Sequence, residues 1–279
     1  MSSNQVYLAD NLPVLNSLPD QSVQLIYIDP PFNTGREQER TTRTSKVSES
    51  GSVGFAGKRY EQIAQSALSY DDSFVDYWEF LEPSLIEAKR LLNQTGTLYL
   101  HLDYREAHYA KVLLDGIFGR ANFLNEIIWA YDYGGKSKSR WPAKHDTILV
   151  YVKDPKNYYF DSATVDREPY MAPGLVTKEK AERGKLPTDV WWHTIVSPTG
   201  KEKTGYPTQK PEGILRRIIQ ASSKPGDRVL DFFAGSGTTG VVAGELGRKF
   251  TLIDQSPDSF QIVKKRLTSR GLSFEILEK

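Results

Sequence analysis

The sequence predicts an α/β protein built on a doubly wound, mostly parallel sheet. Three observations predict it. Short, nearly continuous apolar runs such as Val23–Ile28 (VQLIYI) have the character of strands buried on both faces. Stretches with apolar residues at helical spacing alternate with them, the signature of βαβ units. Two of the strands stop abruptly, one at Asp29-Pro30-Pro31 and one at the glycine-rich turn DFFAGSGTTG, residues 231–240. Open sheets of this class bind ligands at such strand ends.

The first strong strand is Val23–Ile28, ended by two prolines that cannot donate to a sheet ladder. Residues 35–68 are rich in Gly, Ser, Thr, Arg and Glu with little periodicity, and read as a long, mobile functional loop. Residues 76–92 (DYWEFLEPSLIEAKRLL) carry a helical pattern that Gly96 would close, followed by a strand at 97–102 and a helix at 105–118. Strands at 126–131 and 147–153 flank a polar, basic loop. Residues 154–205 are irregular and proline-dotted, with a charge run at 178–185 and the pair Trp191-Trp192. Regularity then returns: helix 211–221, strand Arg228–Asp231, the glycine turn, helix 241–246, strand 250–254 and helix 259–267.

Composition removes several chemistries. The 279-residue chain has no cysteine, so it has no disulfide framework, no thiolate zinc site and no cysteine nucleophile. The four histidines are scattered without metal spacing and read as structural or exposed; no metal is expected. Thirty-six Lys and Arg against 35 Asp and Glu leave a net charge of +1, so only local clusters can argue for nucleic acid. No apolar run approaches the roughly 20 residues of a bilayer span. The start, MSSNQVYLAD, lacks the basic and apolar regions of a signal peptide, which points to the cytoplasm.

The glycine turn places Gly235, Gly237 and Gly240 in G-x-G-x-x-G spacing after a strand and before a helix. Glycines there permit a tight turn and close approach of a ligand to a helix start. Asp254 ends the next strand, where a carboxylate suits ribose hydroxyls. A pyrophosphate would favour an unencumbered helix N-terminus. Here Asp231 precedes the glycines, and its negative charge suits a cationic ligand better. S-adenosylmethionine (SAM) has a sulfonium, an amino group for Asp231 and a ribose for Asp254; the charge argument favours it over NAD without excluding NAD.

Asp29-Pro30-Pro31-Phe32 is a rigid corner. Its prolines fix the Asp29 carboxylate and the Pro30 carbonyl as two acceptors, with Phe32 as a flat apolar face. That is a receptor for a planar group bearing NH2, such as a nucleobase amine. Hydrogen bonds accepted at Asp29 and Pro30 would enrich the amine nitrogen for attack on a methyl sulfonium, by positioning and electrostatics without a metal.

DPPFNTG (residues 29–35), TQKP (208–211) and DFFAGSGTTG (231–240), in this order, resemble the β-class amino-group DNA methyltransferases of bacterial modification systems, over about residues 10–267. The resemblance implies a Rossmann-like methyltransferase sheet, circularly permuted, with a small irregular target-recognition insertion. It implies residues 1–153 as the catalytic half, 154–205 as the target-recognition region and 206–279 as the SAM-binding half. Asp29, Pro30, Pro31 and Phe32 would hold a base flipped out of double-stranded DNA. Asp29, Asp231, Phe232, Phe233, Ala234, Gly235, Ser236, Gly237, Thr238 and Asp254 would line the cofactor, with Asp10 near its adenine and Lys210 flanking it. Phe232 departs from the family, which usually has proline there.

A flipped base needs phosphate contacts. Arg36 and Arg40 in the long loop, and Lys136, Lys138, Arg140 and Lys144 around Trp141, are the candidates. The short recognition region suggests either a homodimer or a short target site. Without cysteine, C5-cytosine methylation is excluded; N6-adenine and N4-cytosine remain, and in the family Asp before Pro-Pro leans towards adenine. A NAD-dependent oxidoreductase, a non-catalytic DNA-binding protein and methylation of RNA or protein amines are the alternatives.

Overall fold

The computed structural model describes residues 3–33, 38–53, 59–70, 77–197 and 199–278. Its centre is a nine-stranded sheet in the order β11-β1-β10-β9-β2-β5-β7-β6-β8. The strands are β1 (Gln5–Leu8), β2 (Val23–Ile28), β5 (Leu92–Leu102), β6 (Phe123–Ala130), β7 (His145–Val152), β8 (Val190–Trp192), β9 (Arg228–Asp231), β10 (Lys249–Asp254) and β11 (Glu275–Glu278). From β11 to β5 every pairing is parallel, and β7 alone runs against its neighbours β5 and β6.

The sheet is mostly parallel because its strands are buried on both faces. All six residues of β2 are buried, and from Leu25 to Ile28 their side chains alternate between two cores. Ile26 and Ile28 join Leu98, Leu100 and Leu230 under α1 (Asn11–Ser17), α2 (Tyr77–Leu91) and α3 (Ala107–Phe118). Leu25 and Tyr27 join Tyr99, Val229 and Leu252 under α5 (Glu212–Ser222), α6 (Thr238–Glu245) and α7 (Pro257–Ser269). The result is the doubly wound, three-layer architecture the sequence predicts.

The C-terminal strands β9 and β10 lie between β1 and β2, so the two halves of the chain complete one sheet. β2 pairs directly with β9, Ile26 opposite Leu230. The topology switches at this pair, and both strands end there in aspartate, Asp29 just beyond β2 and Asp231 closing β9.

Several expectations need correction. Most of the supposed irregular stretch 35–68 is an antiparallel hairpin of β3 (Gln38–Val53) and β4 (Arg59–Tyr70). Polar residues dominate both runs in the sequence, so hydrophobic alternation does not reveal them. Gly96 does not close α2, which ends at Leu91. It lies inside β5, where a Cβ would sit 2.9 Å from Leu92 Cδ2 and 3.1 Å from the Gln24 carbonyl. The charge run at 178–185 contains α4 (Lys178–Arg183), capped by Thr177. The insertion is not wholly irregular either, since β8 adds a parallel edge to β6. β1 and β11 are too short to stand out as apolar runs and form by pairing with β10 and with each other. Among the described residues, no helix is long and apolar enough to cross a membrane.

Candidate active site

The strand ends at the topological switch build one cavity of about 370 Å³. Its walls come from the catalytic corner (Asp29, Pro31), the glycine turn (residues 231–236 and Thr238), Asp10 and Asn11, Asp254, and a third segment carrying Tyr206, Thr208 and Lys210. Asp29 and Asp231 therefore face one chamber because their strands are hydrogen-bonded neighbours.

Asp29 is held asymmetrically. Its Oδ2 accepts from the Lys210 ammonium at 2.5 Å. Its Oδ1 is buried with no hydrogen-bond partner among the described residues. A buried carboxylate oxygen without a donor is costly, and such orphans mark places where a ligand supplies the missing bond. The Lys210 ammonium also lies 4.8 Å from the centre of the Phe32 ring. Pro30 is buried and Phe32 half-buried; neither is on the cavity wall, and Phe32 stands behind Lys210. The Pro31 carbonyl accepts from the Tyr77 hydroxyl at 2.7 Å, which anchors the corner to α2.

Behind Phe32 runs a buried polar chain. The Tyr27 hydroxyl meets His101 Nδ1 at 2.8 Å, His101 Nε2 meets Asp146 Oδ2 at 3.2 Å, and Tyr131 donates to Asp146 Oδ1 at 2.9 Å. His101 keeps the Asp146 carboxyl below its ordinary range despite burial. Phe32 packs 6.0 Å from the His101 ring. The expectation of structural histidines holds for His101, which is fully buried.

In the glycine turn the carboxylates work partly for the fold. Asp231 accepts from Phe233 N and from the Thr239 hydroxyl, yet burial pushes its carboxyl up to about 7, with Asp29 and Asp254 adding to the rise. Asp254 accepts from Gly235 N at 2.7 Å and Ser256 N at 2.9 Å, and burial raises its carboxyl too. Asp10 caps α1 by accepting from Leu12 N. Four aspartates, Asp10, Asp29, Asp231 and Asp254, share one cavity with Lys210, an arrangement that favours a cationic guest.

The three glycines have different tasks. Gly235 (φ +48°) lies under Tyr206, whose ring a Cβ would approach to 3.1 Å. Gly237 (φ +72°) is not on the cavity wall; a Cβ there would come within 2.9 Å of Val263 on α7. Gly240 lets α6 approach β10, since a Cβ would meet Leu252 at 2.6 Å. Phe232 is buried in the core while still lining the cavity, and Phe233 packs 5.7 Å from Phe80.

The TQKP segment ties the halves together. Gln209 is buried and clamps the preceding loop, accepting from Thr204 N and donating to the Glu202 carbonyl. Lys210 reaches Asp29, its carbonyl accepts from Thr238 at the start of α6, and Pro211 caps α5. Sequence reasoning placed Lys210 beside the cofactor and did not anticipate the ion pair with Asp29. It also missed Tyr27, Asn11, Phe80 and Tyr206, aromatic and amide residues that local spacing does not distinguish from core.

The basic candidates divide. The 131–144 loop joins the end of β6 to the start of β7, so it leaves the sheet at the edge that carries Asp29. Lys136, Lys138 and Arg140 are exposed there, as is Trp141 at 95%. Lys144 instead donates to the carbonyls of Asp132 and Gly134 and staples the loop. Arg36 lies outside the described residues, and Arg40 falls on β3. Trp191 is buried, donating to the Thr188 carbonyl, whereas Trp192 is exposed.

A three-layer α/β sheet with a fixed carboxylate corner and a glycine turn on one cavity defines a ligand-binding enzyme of the doubly wound class. Within that class the chain belongs to the N6/N4-type DNA methylase family, whose model matches residues 23–265. The chain is 32% identical over 266 residues to the DNA adenine methyltransferase YhdJ of Escherichia coli K12, covering 92% of this chain and 80% of that protein. Identity to the type II methyltransferase M.HpaI of Haemophilus parainfluenzae is 31% over 272 residues, covering 96% and 75%. Among solved structures, the M1.HpyAVI–SAM complex superposes with a TM-score of 0.60 at 24% identity, covering 94% of this chain and 98% of that one. The cytosine-N4-specific PvuII DNA methyltransferase gives 0.63 at 15% identity, covering 99% and 95%. These two structures bear on the fold.

Proposed function

We propose that this chain is a SAM-dependent DNA methyltransferase acting on the exocyclic amine of a base extruded from double-stranded DNA, with N6 of adenine as its target and N4 of cytosine as the alternative. One observation carries the reading. Asp29 Oδ1 is buried, unpaired among the described residues and on the same cavity as the glycine turn.

SAM fits the groups present. Its amino group and sulfonium match a cavity lined by Asp29, Asp231 and Asp254, and its ribose matches Asp254, whose two oxygens each keep a further lone pair. Asp10, Phe232, Phe233, Ala234, Ser236 and Thr238 complete the walls. When bound, SAM supplies a methyl group activated by positive sulfur.

The residues of the chain do the rest. Lys210 occupies Asp29 Oδ2 and so leaves Oδ1 as the acceptor for the incoming amine. Pro30 does not line the cavity, so its carbonyl would act as second acceptor only if the bound base exposes it; both N–H bonds of the amine would then be polarised and its nitrogen would gain electron density. Phe32, backed by the His101–Asp146 pair, offers the base a flat face. The catalytic help is alignment and preorganised charge.

YhdJ is a DNA adenine methyltransferase, which supports adenine; the aspartate at position 29 agrees. DNA would lie across the edge bearing Asp29, held by Lys136, Lys138 and Arg140, with Arg36 and Arg40 as further candidates and residues 154–205 reading sequence. We place the protein in the bacterial cytoplasm with the nucleoid, as a homodimer in a modification system. Mass spectrometry of nucleosides from DNA treated with enzyme and SAM tests the reading. N6-methyladenosine is the expected product, N4-methylcytidine selects the alternative, and no methylated nucleoside refutes it.

A further inference from the structure

Three buried side-chain polar atoms lack a hydrogen-bond partner among the described residues: Asp29 Oδ1, Thr97 Oγ1 and Arg217 Nη1. The first belongs to the catalytic corner. The other two line one and the same second cavity, of about 530 Å³. That coincidence is unexpected of a region that merely closes the core, because an unpaired buried polar group costs about 1–3 kcal/mol.

The cavity exists for a topological reason. The core under α5, α6 and α7 is roofed by helices over β2, β9 and β10. Over β5, β7 and β6 the same face is covered by residues 158–189 instead, and the cavity lies between that cover, the sheet and α5. Tyr99, Tyr158, Phe160 and Trp191 give it aromatic walls. Thr97 is 1% exposed and sits on β5 beneath them. Arg217, on α5, stacks 5.4 Å over the Trp191 ring and gives Nη2 to Glu168 at 2.6 Å. Its charge is thus already balanced, while Nη1 has no acceptor among the described residues.

These features specify a guest. Aromatic walls ask for a flat ring system. A charge-balanced guanidinium with one idle N–H asks for a neutral acceptor, a ring carbonyl, in preference to a carboxylate or phosphate. The Thr97 hydroxyl can donate to, or accept from, a second ring atom. We propose that this cavity is a second binding site, distinct from the catalytic one, for a neutral heteroaromatic group bearing a ring carbonyl, of the guanine or thymine type. The guest can be a free nucleoside or a base of bound DNA. α5 borders both cavities, through Leu215 on the first and Ile218 on the second, and it begins at Glu212, two residues after Lys210. A guest would therefore bear on the helix that follows the Asp29 partner.

The test is calorimetric titration of the full chain with guanosine, and separately with a short random-sequence duplex, for the parent, Thr97→Val and Arg217→Met. Because the Thr97 hydroxyl has no partner, Thr97→Val should melt at or above the parent temperature. Saturable guanosine binding that both variants weaken about tenfold, the loss of roughly one hydrogen bond, supports a nucleoside site. No guanosine binding but a tenfold loss of duplex affinity in both variants supports a DNA base as the guest. Guanosine and duplex binding both unchanged in the two variants, or no guanosine binding with duplex affinity unchanged, overturns the proposal. So does a high-resolution crystal structure in which ordered water satisfies Thr97 and Arg217 and guanosine soaked into the crystal leaves the cavity unchanged.

Discussion

Asp29 carries two different hydrogen-bonding oxygens, and that difference is the sharpest residue-scale claim. Replacing Asp29 with Ala should abolish methyl transfer, measured with tritiated SAM, and leave DNA retention in gel shifts largely intact. Lys210→Met should lower kcat by about a hundredfold, as losing one fixed donor does in preorganised sites, with a smaller change in KM for SAM. A lysine that served the cofactor alone would show the reverse. Asp231 makes a pH prediction. Its folded-state carboxyl rises from 3.8 to about 7 through burial, so the folded protein holds a proton there that the unfolded chain has released. Stability of the ligand-free protein should therefore fall as pH rises from about 4 to about 7 and then level off, followed by thermal melting. SAM affinity should move the opposite way and strengthen through pH 7, because a cationic ligand prefers the ionised carboxylate. Asp231→Asn should flatten both trends.

At the scale of elements, the glycine turn separates ligand contact from packing. Gly240→Ala presses a Cβ to 2.6 Å from Leu252 and should cost about 1–3 kcal/mol by overpacking, read by denaturant unfolding. Gly237→Ala adds a positive-φ penalty to its contact with Val263. Both should destabilise α6 before they change cofactor affinity. The loop between β6 and β7 makes an electrostatic prediction. Removing Lys136, Lys138 and Arg140 together should weaken DNA binding and reduce the slope of log affinity against log salt by about 2.7, if all three meet phosphate. Lys144→Ala should act less on that slope, since its ammonium is spent on loop carbonyls. β2, β9, β10 and the helices between them were legible because burial on both faces writes itself into local composition. β3 and β4 were not, because their polar-rich sequence carries no clear hydrophobic period.

For the whole molecule, the arrangement rests on the pairing of β2 with β9, which joins strands more than 200 residues apart in sequence. Local sequence determined the fold class, the strand ends, the aspartate-proline corner and the glycine turn. Each depends on the conformational limits of a few consecutive residues: continuous apolar runs, proline's missing donor, glycine's left-handed freedom. Tertiary structure alone decided that the two motifs share one cavity, that Lys210 holds one oxygen of Asp29 and leaves the other unpaired, and that a second cavity opens beneath residues 158–189. These are contacts between distant segments. They are set by which strands lie side by side and how much of each sheet face the helices cover, and no window of neighbouring residues encodes either.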